Sequence, residues 1–115
     1  MTAITASKRP TLTLSAIAAT DVTIYSPLTY AAGIAAAGVA VYGFAITDAA
    51  AGSAVGIDVQ GTTIAISGAA IANGAQLEVG SNGRLITHNT GVAVARALSA
   101  VPAAGIAFEV LLLSN

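Results

Sequence analysis

The feature that most restricts the fold is an apolar–polar alternation with a period of two, cut at short intervals by turn residues. Leu12 and Leu14 alternate with Thr11 and Thr13, and Val22 and Ile24 with Thr23 and Tyr25. Val55, Ile57 and Val59 alternate with Gly56, Asp58 and Gln60, Ile64 and Ile66 with Thr63, Ala65 and Ser67, and Leu77 and Val79 with Gln76, Glu78 and Gly80. Successive side chains of a strand point to opposite faces, so this pattern predicts half-buried strands whose branched residues share a core. Val39–Ile46 and Ile106–Leu113 are apolar on both faces. Such strands are central or covered twice, and the second cover can be a subunit contact.

Turn chemistry divides the runs. Gly80-Ser81-Asn82-Gly83 is the strongest local signal, because Asn-Gly accepts the positive φ values that hairpin turns require. Gln60-Gly61 predicts a second hairpin, and the segments 49–52, 72–74 and 101–105 supply further breaks. Only Ala31–Ala37 offers a helical stretch, and it carries Gly33 and no cap residue directly before it, so it reads as a loop or one or two helical turns. The expected fold is all-β: a compact barrel or sandwich of about nine short antiparallel strands with at most one short helix. At 115 residues the chain is one domain, residues 11–115, preceded by a flexible or extended N-terminal arm, residues 1–10.

Composition narrows the function. Charged residues make up 8% of the chain and hydrophobic residues 56%, against about 25% charged in an average soluble domain. A folded monomer of this size exposes roughly 5,600 Å². Four cations and five anions cover that area thinly, so part of the surface is expected to lie against other chains. A net charge of -1 without clustered cations argues against nucleic acid and against a polybasic membrane anchor. No cysteine is present, which excludes disulfide scaffolds, thiol catalysis and cysteine-ligated zinc. The uncharged run Val22–Thr47 is long enough to span a bilayer as a helix, but Ser26-Pro27 and Gly33, Gly38 and Gly43 interrupt it, so no membrane span is read. Lys8 and Arg9 lead straight into Pro10 without the apolar core of a secretory leader.

No constellation for catalysis, cofactor binding or metal binding emerges. His88, the only histidine, reads as a turn residue, and no motif ties Asp21, Asp48 or Asp58 to it. The glycines around Gly52 and Gly80 lack the Lys-Ser/Thr of a phosphate loop. The chain is read as a non-enzyme. The candidate interaction residues are charges in unusual places. Lys8, Arg9 and Pro10 close the arm with the only adjacent pair of cations. Arg96 and Glu109 sit in apolar strands, where an unpartnered charge is costly when desolvated. They pair with each other across neighbouring strands, pair with another subunit, or face solvent at a strand edge.

Several segments resemble one family, the small capsid decoration or cement proteins of tailed bacteriophages. Phe44–Gly61 looks like that family's strand, Ala/Gly-rich turn, alternating strand and closing glycine. Asn73–Thr87 is similar to its hairpin, and Gly91–Gly105 followed by Phe108–Leu112 to its C-terminal pair of strands. The resemblance covers residues 38 to 113, and the first 35 residues have no counterpart. It implies a structural virion protein made in the host cytoplasm. Such a protein binds the major capsid protein on the outer surface of an icosahedral head and reinforces the shell as a homo-oligomer, commonly a trimer and sometimes a dimer. The competing reading is a β-structured phage adhesion or receptor-binding module present in low copy number.

Overall fold

The computed structural model describes residues 7–115. Eight strands form one antiparallel sheet: β1 (Pro10–Ile17), β2 (Pro27–Leu28), β3 (Gly43–Ala45), β4 (Ala54–Ile66), β5 (Gln76–Val79), β6 (Leu85–Thr87), β7 (Ala95–Ala97) and β8 (Ala107–Leu112). The hydrogen-bonded order is β2-β3-β4-β8-β7-β5-β6, with β1 also on β4. The only helical element among the described residues is a 3₁₀ turn, Ser81–Gly83. The all-β expectation therefore holds, in the form of a single curled sheet or half-barrel. Curling carries β6 round toward the far end of β4. There Leu85 forms a parallel bridge with Ser67, and the Gly68 N–H donates to the Leu85 carbonyl at 2.7 Å.

The expected turn at 80–83 is present. Asn82 and Gly83 take φ of 59° and 69°, and β5 and β6 pair in register from Leu77↔Thr87 to Val79↔Leu85. The second expected hairpin is not. Gln60-Gly61 lies inside β4, which runs unbroken for 13 residues. Gly61 has φ +87°, but the freedom serves a bulge against β1, whose register slips between Pro10 and Thr13. Here β4 changes neighbours. Its first half lies between β1 and β3, and its second half, Thr62–Ile66, pairs with β8.

Two apolar clusters follow from this exchange. The larger fills the curl, with Phe44, Leu77, Val79, Leu85, Phe108 and Val110 almost wholly buried. The smaller lies beside the first half of β4 and holds Val22, Leu28, Val55 and Ile57. Ala65 rather than Ile64 joins the larger cluster. Ala31–Ala37 forms no helix, and Ala32 takes φ 64°. Of the run Val39–Ile46, only Gly43–Ala45 is strand, and Val39 is exposed. No helix among the described residues is long and apolar enough to cross a membrane. The accessible surface is 5630 Å², the area of a compact chain of this size.

Strand β1 departs most from the alternation rule. Its leucines were expected on the core face, yet Leu12 and Leu14 are each 40% exposed and Ile17 is 63% exposed. Among the described residues the strand has one neighbour, β4, and only its Ala16 is half-buried, against the smaller cluster.

Candidate interaction surface

Three of the four charged residues singled out from the sequence, Lys8, Arg9 and Glu109, lie around the start of β1. Residues 1–6 of the expected arm lie outside the described residues. Lys8 and Arg9 are drawn onto the sheet by two carboxylates. The Lys8 ammonium donates to Asp58 Oδ2 at 2.8 Å, and Thr13 Oγ1 donates to Asp58 Oδ1 at 2.9 Å. Thr63 Oγ1 adds a third bond, to Oδ2, at 2.9 Å. Asp58 is 1% exposed, and these three donors take the place of water around its carboxylate.

The second anchor is more open. Arg9 Nε lies 3.3 Å from Glu109 Oε2, with the Arg9 side chain 76% exposed, so solvent screens the pair. Thr62 makes it directional. Its hydroxyl donates to Glu109 Oε2 at 2.6 Å while accepting the Arg9 backbone N–H at 2.6 Å. Pro10 begins β1 opposite Gly61, at the bulge. A Cβ on Gly61 would lie 2.7 Å from both the Arg9 carbonyl and the Thr11 nitrogen, so only glycine lets the chain pass so near.

Arg96 stands apart from this group. It sits opposite Leu111 on the outer face of β7 and donates to the Gly74 carbonyl at 2.8 Å. Of the three possibilities for Arg96 and Glu109, mutual pairing is not made, because Glu109 is engaged by Thr62 and Arg9. A shallow open groove of about 400 Å³ runs beside Glu109, bounded by Ser7, Leu98, Val101, Ile106 and Phe108.

Two buried polar residues outside the sequence-derived set organise loops. Glu78 accepts the backbone N–H groups of Asn89 and, at 3.1 Å, Gly91. The Asn89 N–H does most to hold its carboxyl below the ordinary value of 4.5. Burial opposes this, and Gly91 and the nearby His88 reinforce it. His88 itself is half-buried in the loop after β6, with Nε2 2.9 Å from the Gly91 carbonyl oxygen. Ser67, wholly buried, donates to the Ala103 carbonyl at 2.7 Å and accepts the Ile106 N–H at 3.0 Å, pinning the 101–106 turn. Neither role was legible from spacing alone: both residues occupy the polar half of an alternating strand, the usual pattern of a solvated face.

Among the described residues the surface holds no reacting group against a base. It offers an exposed apolar strand whose first residues are fastened by ion pairs. Among the described residues no three His, Asp or Glu side chains gather as metal ligands. No protein-family model matches the chain, and no curated protein is significantly similar to it.

Proposed function

We propose that this chain is a structural virion protein that binds the major capsid protein on the outside of an icosahedral phage head and stabilises the shell. The observation that carries the reading is the coincidence of sparse charge and outward apolar strand. Four cations and five anions are spread over 5630 Å², and β1 leaves Leu12, Leu14 and Ile17 exposed, on its two faces. Such a surface suits a protein that lies against others in many copies. The resemblance of residues 38–113 to decoration proteins gives the assembly its identity and points to a small homo-oligomer, a trimer or a dimer.

The energetics need no reaction. Ligands that bind the assembled shell better than free subunits shift the equilibrium toward the shell. With Lys8, Arg9 and Pro10 already held on this chain's own sheet, a strand added from the arm to a coat-protein sheet edge would come from the residues before them. Deleting residues 2–9 is expected to weaken binding to heads, and unchanged binding would remove the arm from the mechanism.

One observation favours the low-copy adhesion module as a second reading. Tyr30 and Tyr42 have ring centroids 5.2 Å apart beside an open groove of about 310 Å³ that Gln60 and Asn115 also line. Copy number relative to the major coat protein in purified heads separates the two. A fixed simple ratio supports decoration, and a handful of copies per particle supports adhesion.

A further inference from the structure

We infer that β1 is a self-pairing strand, and that two copies of this chain join their sheets through antiparallel β1–β1 hydrogen bonding about a twofold axis at Ser15. The inference stands whether or not the chain binds a capsid.

Among the described residues β1 has β4 on one side and no strand on the other, so alternate backbone N–H and C=O groups along its eight residues face outward. Free edges in monomeric proteins are commonly blunted by charges, proline or bulges. In β1 these devices are confined to the beginning: Pro10 and the register slips end by Thr13. From Thr13 to Ile17 the pairing with β4 is regular, and the strand contains no charge and no proline. That segment is exposed apart from half-buried Ala16.

A second copy fits it because the segment is complementary to itself when reversed. With Ser15 on the axis, Leu14 stands opposite Ala16 of the copy, large against small. Thr13 stands opposite Ile17, a pairing of two β-branched side chains of the kind that favours strand association. The only side chain that meets itself is a small neutral serine. Reversal also keeps the Lys8–Arg9 ends of the two strands apart, whereas parallel alignment would set cations beside cations. The smaller apolar cluster gains as well. Ala16 packs on it and Leu14 lies opposite its Ile57, so a neighbouring strand would extend this flank across the joint. A twofold contact is isologous and closes at two copies.

The test is sedimentation velocity of the intact chain across the micromolar range. Self-pairing predicts a mass rising to twice 11.1 kDa with concentration. Ser15→Lys places like charges face to face at the axis and is expected to raise the dimer dissociation constant at least about tenfold. Ser15→Asp should do the same, and mixing the two variants should restore the dimer. Ser15 is exposed and belongs to neither core cluster, so both variants should keep the wild-type circular dichroism spectrum. Hydrogen exchange on the wild type gives a readout free of mutation: outward amides between Thr13 and Ile17 should gain protection as concentration rises. A single-copy mass at every concentration overturns the inference and leaves the edge to a different protein. So does a three-copy mass, a dimer indifferent to Ser15→Lys, or a mixture that stays monomeric.

Discussion

Asp58→Asn is the most informative single change, because it alters charge and donor balance at the main anchor without altering shape. The carboxylate accepts from Lys8, Thr13 and Thr63. An asparagine has one acceptor oxygen and an NH₂ that must face at least one of those donors. The oxygen can keep Lys8 and Thr63 while the NH₂ donates to the Thr13 hydroxyl, so what is lost is the charge assistance of these bonds, about 1–2 kcal/mol at a site where Thr63 is 1% exposed. Breaking a fully buried ion pair costs about 3–5 kcal/mol, but the Lys8 side chain is 31% exposed and recovers hydration, which reduces that contribution. The two effects together give about 2–4 kcal/mol. With a urea m-value of roughly 1–2 kcal/mol/M, the unfolding midpoint should fall by roughly 1–4 M at unchanged m. Lys8→Met should cost less, and in the double variant the two costs should fall short of additive by about 1 kcal/mol or more. A loss below about 0.5 kcal/mol for Asp58→Asn, or strict additivity, would refute the claim that this buried carboxylate fastens β1.

Three further outcomes are expected. Gly61→Ala combines a left-handed φ with contact against the backbone of Arg9 and Thr11. It should cost about 2–4 kcal/mol and speed amide exchange in β1 more than in β5. Ser67→Ala leaves the Ile106 N–H and the Ala103 carbonyl without their partner and should lower stability by about 1–3 kcal/mol in urea titration. The folded-state pKa of Glu78 lies below its ordinary value of 4.5, so its stabilising effect is full above that value and is lost as pH falls through the folded pKa. The melting-temperature gap between wild type and Glu78→Gln should therefore hold at neutral pH and close as the solution is acidified below 4.5.

What could be read from the sequence was local. The turn at 80–83 was legible because Asn82-Gly83 carries its backbone conformation in its own chemistry. Gly61 shows where that reasoning stops. A positive φ suits a bulge as well as a turn, and the choice is made by Pro10, which meets Gly61 from fifty positions away. Asp58 did not stand out as an anchor because Val55-Gly-Ile-Asp-Val59 places it on the polar side of an ordinary alternation, and its cation lies 50 positions off in sequence. Arg9 and Glu109 were both recognised as charges needing an account, but the contact between them spans 100 positions, and Thr62 gave no sign that it joins them. The exposure of Leu12 and Leu14 was hidden for a related reason: alternation says that a strand has two faces, not that either is covered.

The sharing of β4 between two sets of neighbours bears on how the chain is made. As synthesis proceeds from the amino end, Ala54–Gly61 emerges with β1 and β3 already available to flank it. Thr62–Ile66 must wait for Ala107–Leu112 before its ladder can form. For that interval the nascent chain carries the beginning of a sheet whose apolar interior is unroofed, because Phe108 and Val110 have yet to arrive. Release of the segment 107–112 from the ribosome is thus the event that commits the domain. A ribosome stalled before it would expose a half-built product to proteases and to the strand edges of its neighbours.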